Sequence, residues 1–297
     1  MFKNLLDAIK QQNYKAHYFS DYLEIRSINL GEVKLDINEI NQILSNLKKK
    51  ERDEVIAILS ERVIVFGDDY PFIVDTDTGI VLKNNLTERN RLYIYFLFCS
   101  RVERMDCKSN LLEYDFEYVS KVALSKFIPD FTIYILGKSS FGDERYKGNK
   151  SEKFHKIAED LKTRTRFDPK KMEDSDFGDG GVDIIAWREF RGDAWFKYIP
   201  VYLCQCGVGK DWVAKQHSYK EVVNSIELPS NIIDALFIPY DARMQDGDFI
   251  DERRIDSKLI FDRRRMMGLI DDFNDVKDLK SFTTFINKIQ PVRDIME

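Results

Sequence analysis

The chain of 297 residues carries 46 basic and 51 acidic side chains, a net charge of -5, with 43% hydrophobic and 33% charged residues. This is the composition of a globular protein with a sizeable core, and it excludes intrinsic disorder, a fibrous architecture and attraction of an anionic partner by the global field. Cys99, Cys107, Cys204 and Cys206 have no CxxC spacing and His17, His155 and His217 are scattered, so no structural zinc site is expected.

The N-terminus lacks the continuous apolar core of a signal peptide. The longest apolar run, Leu92 to Cys99, is far below the roughly 20 residues that span a bilayer, so a cytoplasmic protein with reduced thiols and no membrane contact is expected. Length suggests about two domains. The first ~85 residues mix amphipathic pieces with strand-like runs such as Val63 to Phe66 and Phe72 to Val74, which predicts a small α+β N-terminal region, with a second domain over 86–297.

Thr87 with Asn90 predicts a helix start, leading a buried helix to about Arg104. From Leu111 to Phe127, Phe116, Val119, Ala123 and Phe127 recur near helical spacing, with Glu117 at the edge of that face. Phe131 to Leu136, bounded by Pro129 and Gly137, reads as a strand. Ser151 is read as the cap of a helix whose apolar face is Phe154, Ile157, Ala158 and Leu161. Two strand patterns follow, Val182 to Trp187 and Tyr198 to Cys206, then a helix stripe of Trp212, Gln216, Tyr219, Val223 and Ile226, then a strand from Ile233 to Ile238. The order predicts an α/β sandwich.

Asp183 interrupts the apolar strand Gly181 to Trp187, where an uncompensated carboxylate costs several kcal/mol. A turn cap or an arginine partner would satisfy it; so would a divalent cation, since Mg²⁺ is commonly held by one or two carboxylates plus phosphate oxygens. Strand alternation puts Val201, Leu203, Gln205 and Gly207 on one face, making Gln205 a second polar group in an apolar strand. If the two strands pair as a hairpin, Asp183 and Gln205 converge at one end.

Gly178-Asp179-Gly180-Gly181-Val182-Asp183 followed by Gln205-Cys206 resembles the GDxGVD and QCK signatures of Mrr-type restriction endonucleases in the PD-(D/E)XK nuclease superfamily, over roughly residues 110 to 240. The resemblance implies a restriction-endonuclease-like αβ sandwich with a central mixed sheet, and a Mg²⁺-dependent endonuclease acting on DNA, with Mn²⁺ as a substitute. Asp183 and Gln205 would organise the metal. The superfamily's lysine, two residues after the second motif position, is replaced here by Gly207, and Lys210 beyond a Gly-Val-Gly turn is the candidate for a displaced catalytic lysine. Phe116-Glu117 resembles the family's helix Phe-Glu pair, making Glu117 a third metal ligand, with Glu159 in contention for the same role.

Arg263, Arg264 and Arg265 are candidate phosphate contacts, although flanking acids favour a solvated helical face over a phosphate track. Gly207 to Asp211 lacks the Ser or Thr of a phosphate-binding loop. The resemblance implies a setting in restriction or antiviral defence with a partner ATPase or sensor protein. The N-terminal region is then a candidate for partner docking or homo-oligomerisation. A catalytically silent nuclease-like module that binds DNA or protein is the competing expectation, and Gly207 is its best argument.

Overall fold

Among the described residues the strand signals resolve into two separate sheets, one of three strands and one of five. The computed structural model describes residues 15–29, 34–101, 109–137, 143–166, 178–192, 198–208, 212–228, 232–243, 247–249, 255–256, 259–286 and 289. Two compact units emerge. The first takes the residues up to 112 together with those of 239–252 and 271–297; the second takes those of 113–238 and 253–270. Among the described residues no helix is long and apolar enough to cross a membrane.

The first unit holds α1 (Lys15–Asn29), β1 (Lys34–Asp36), α2 (Ile37–Ile43), α3 (Lys49–Phe66), β2 (Phe72–Asp75), β3 (Gly79–Leu82) and α4 (Glu88–Cys99). Its strands form an antiparallel sheet in the order β1-β3-β2. Val63 to Phe66, expected as a strand, is instead the last turn of α3. Val55, Ile58, Leu59, Arg62 and Phe66 lie on one buried face, and this 3.6-residue period over five turns outweighs the local β preference of a Val-Ile-Val run. Val63, Ile64 and Val65 are accordingly exposed.

The predicted start of α4 is found: Thr87 accepts from the Asn90 backbone N–H and the Asn90 side chain accepts from that of Thr87, a reciprocal cap. Every residue from Leu92 to Cys99 is buried, and the Tyr93 ring packs edge-on to Phe66, Tyr70 and Phe72. This packing accompanies the placement of α4 in the first unit, whose first segment runs to Leu112.

A buried ionic network lies at the centre of the first unit. The Arg62 guanidinium, wholly buried, meets Asp21 and Glu24 of α1 at 2.8 Å each and Asp241 at 3.3 Å. Tyr70 and Tyr93 donate to Glu24 at 2.7 and 3.1 Å, while Ser100 and Arg101 donate to Asp21 at 2.9 and 3.0 Å. Burial alone would lower the Arg62 pKa, but the surrounding negative charge, Glu24 foremost, holds it well above the ordinary value.

The second unit is built on a mixed sheet in the order β4-β5-β6-β7-β8. Its strands are β4 (Thr132–Ile135), β5 (Ile184–Trp187), β6 (Val201–Cys206), β7 (Ile232–Phe237) and β8 (Leu259–Phe261). β4, β5 and β6 are successively antiparallel, and β7 and β8 continue parallel to β6. The architecture is mixed α/β.

Helix α5 (Ser109–Phe127) buries Phe116, Val119 and Ala123 as their spacing requires, and its Glu117 and Ser120 neighbour the Cys206 thiol. Helix α6 (Lys150–Asp160) is capped by Asn149, two residues before the expected Ser151, because Asn149 and Glu152 form a reciprocal box. Its Phe154, Ile157 and Ala158, with Leu161 just beyond it, pack against Ile185, Trp187, Val201 and Leu203. The stripe expected as one helix after Trp212 is two short ones, α7 (Trp212–Lys215) and α8 (Lys220–Ser225). His217 between them takes a left-handed φ of 63°.

The last described elements are α9 (Arg263–Leu269) in the second unit and α10 (Lys280–Thr284) in the first. The Arg62 network yields a direct test. Arg62→Met should cost about 3–5 kcal/mol, since three buried carboxylates lose their shared counterion. The melting temperature should fall by roughly 10 °C or more, as read by calorimetry.

Candidate active site

The register of β5 against β6 places Asp183 opposite Gln205. Ile184 pairs with Cys204, and the ladder continues one residue further, with the Asp183 N–H donating to the Cys204 carbonyl at 2.9 Å. On its other side the Asp183 carbonyl accepts the Leu136 N–H at 2.8 Å, so its backbone is bonded on both flanks. The side chain is 7% exposed. Its Oδ2 accepts the Cys206 backbone N–H at 2.6 Å and the Gln205 amide nitrogen. The convergence expected of the two motif positions is present.

Burial pushes the Asp183 carboxyl up to about 7, and the charge of Asp179 adds to the shift. The Cys206 N–H, the charge of Lys215 and the Gln205 amide oppose it. Asp179 belongs to the same Gly-rich loop and accepts the Gly181 N–H at 2.8 Å. Gly181 has a φ of +76°, and a Cβ there would stand 2.4 Å from the Ser218 carbonyl oxygen, so only glycine lets this loop close against the turn after α7.

Glu117 reaches the same place from α5. A Cβ on Gly137 would lie 2.2 Å from Glu117 Oε2, so the carboxylate occupies space that glycine leaves free after β4. That oxygen is buried with no hydrogen-bond partner. Burial first, then the charges of Asp183 and Asp179, push the Glu117 carboxyl up to about 9, against the pull of Lys215. Glu159, the competing candidate, is a half-exposed surface residue 3.1 Å from Arg145. Of the two, Glu117 is the one near Asp183.

Lys215 supplies the cation of the group. Its Nζ donates to the Cys206 carbonyl at 3.0 Å, and its charge acts on both Glu117 and Asp183. The turn that follows adds Ser218, whose Oγ lies 2.7 Å from Gln205 Oε1, 2.8 Å from the Lys215 carbonyl and 2.9 Å from that of Gly181. Sequence reasoning missed Lys215 and Ser218 because the stripe through Trp212 and Tyr219 reads as one continuous helix. No residue there signals the left-handed turn at His217.

Lys210 lies outside the described residues. At Gly207, where the superfamily's lysine would stand, an added Cβ would meet the Cβ of Trp212 at 2.9 Å. Arg263 is wholly buried and cannot lie on an open phosphate track; Arg264 is half-buried, and Arg265 is exposed with Nη1 donating to the Ile260 carbonyl at 2.6 Å. Burial raises both Cys204 and Cys206 above the ordinary thiol range, which disfavours the thiolate form. Among the described residues no three His, Cys, Asp or Glu side chains are gathered to hold a metal by themselves.

Two outcomes follow from this geometry. An acid whose folded pKa exceeds its unfolded one holds its proton more tightly in the native state, so it favours folding least at high pH. The penalty from Asp183 grows from about pH 4 to about 7, and that from Glu117 continues to about 9. Asp183→Asn should therefore raise the melting temperature by a few degrees more at pH 8 than at pH 5, on the order expected for 1–2 kcal/mol. Gly207→Ala should lower it by several degrees through overpacking against Trp212, about 1–3 kcal/mol, and Gly207→Lys should lower it further. Parallel melts of the three variants check both. Comparison of the chain with protein-family models, with curated proteins and with solved structures finds no match.

Proposed function

We propose that the second unit is a metal-dependent endonuclease that hydrolyses DNA phosphodiester bonds. The observation that carries this reading is the meeting of Asp183, Gln205 and Lys215 at one end of the β5–β6 pair, with Glu117 brought in from α5. The motif resemblance contributes the substrate class, and the mixed five-stranded sheet supports a restriction-endonuclease-like fold.

The residues suit a divalent cation. Glu117 Oε2 is a buried oxygen without a donor beside a second buried carboxylate, and Mg²⁺ needs only one or two carboxylates when waters and phosphate oxygens complete its shell. Asp183 and Glu117 would hold it, with the Gln205 oxygen as third donor. When bound, the ion would supply Lewis-acid polarisation of the phosphate and a water of lowered pKa.

The chain's own groups do the remainder. Asp183 is fixed through Oδ2 by the Cys206 N–H and the Gln205 amide. The Lys215 ammonium, anchored on the Cys206 carbonyl, takes the role expected of the displaced lysine and stabilises the charge that develops on the phosphate oxygens. Arg264 and Arg265 are the remaining candidates for backbone phosphate contacts. Activity in antiviral defence with a partner ATPase or sensor, docked through the first unit, belongs to this proposal as the resemblance implies it.

A silent DNA- or protein-binding module is the second reading, favoured by the closed position at Gly207 and by the lack of a three-ligand group among the described residues. Incubation of plasmid DNA with the full chain in Mg²⁺, Mn²⁺ or EDTA separates the two. Metal-dependent nicking is expected, abolished in Asp183→Asn and slowed about 10²-fold in Lys215→Ala without loss of folding. Binding without cleavage by all three proteins would establish the module instead.

A further inference from the structure

The hydroxyl of Ser218 stands among three oxygens with one proton to give. The carbonyls of Gly181 and Lys215 accept only, and Gln205 presents its amide oxygen, which accepts as well. Two of these contacts, between 2.7 and 2.9 Å, therefore have no proton between the oxygens. Inverting the Gln205 amide would halve the conflict: its NH₂ would donate to Ser218 Oγ, whose own proton would go to one carbonyl, leaving one contact without a proton where there were two.

The amide is held the other way by Asp183. Its buried carboxylate needs donors and receives them from Cys206 N–H and Gln205 NH₂. Gln205 is thus set between two groups that both call for its single NH₂. Asp183 prevails while its charge is otherwise unmet, since a hydrogen bond to an ionised acceptor is about twice as strong as a neutral one.

We infer that Ser218 is a positioning residue for a metal site, acting through the Gln205 amide: a divalent cation at Asp183 removes the demand for the NH₂, the amide inverts, its oxygen faces the cation, and Ser218 receives the NH₂. The inference rests on the metal site of the preceding reading and adds how the third donor becomes available. The inverted state leaves one contact of Ser218 without a proton instead of two, so the hydroxyl favours the loaded form. Side chains one shell behind metal ligands commonly change metal affinity by about 10–100-fold.

A double-mutant cycle on the full chain tests this, with Mn²⁺ affinity measured by titration calorimetry or by the paramagnetic signal of free Mn²⁺. Ser218→Ala should weaken Mn²⁺ binding about tenfold. In a Gln205→Glu background both ends of the side chain are oxygen and nothing needs orienting, so the same change should alter affinity less than about twofold. Equal losses in both backgrounds would show a merely structural serine and overturn the inference while leaving the metal site standing. Mn²⁺ binding that is absent, or unaffected by Asp183→Asn, would instead remove the site and both readings with it. A second measurement needs no variant: the Gln205 NH₂ protons should show nuclear Overhauser contacts to the Cys206 N–H without metal and to the Ser218 β-protons in saturating Mg²⁺. Contacts that do not change on adding Mg²⁺ to a protein that binds it would overturn the inference.

Discussion

A carboxylate taken out of water at the start of β5 is the constraint on which the site depends. Asp183 cannot be buried there without donors, and the antiparallel partner strand supplies two of them, a backbone N–H and the Gln205 amide. Those two bonds leave the charge only partly met, because burial and the negative charge of Asp179 act against it, and the Glu117 carboxyl, itself pushed up to about 9, offers no compensation. The ammonium of Lys215, held against the Cys206 carbonyl, acts against that negative charge. A group of acids is stable when something positive is shared among them, and that is the physical basis of the proposal that a divalent cation binds here.

Much of this was legible before the fold was known. An Asp and a Gln, each interrupting an apolar strand, had to find partners, and strand periodicity alone aligned them once the strands paired. Glu117 was legible only as the edge of a helical face, since whether that edge meets the sheet depends on packing. Lys215 was invisible for a different reason. It ends a four-residue helix where the stripe reads as one continuous helix, and the left-handed residue that follows, His217, is not a glycine and leaves no compositional trace.

The same contrast holds for the fold. Reciprocal capping by Thr87 and Asn90, the apolar stripe of α6 and the strands β2, β4, β5, β6 and β7 are local patterns and were readable as such. The end of α3 was not, because Val63 to Phe66 has the residues of a strand while the helix is specified by the face running from Val55 to Phe66. The extent of the first unit was not legible, since the buried Tyr93 of α4 packs with Phe66, Tyr70 and Phe72, which lie earlier in the chain.

Arg62 ties the first unit to residues made much later in synthesis. Asp21 and Glu24 precede it, but Asp241 follows only after most of the second unit has been translated. A ribosome-bound chain therefore carries a core arginine short of one counterion while residues 113–238, with a hydrophobic cluster of their own, are already being added. The second unit can begin to gather its sheet as it emerges; the first reaches its final charge balance only when the chain returns to it.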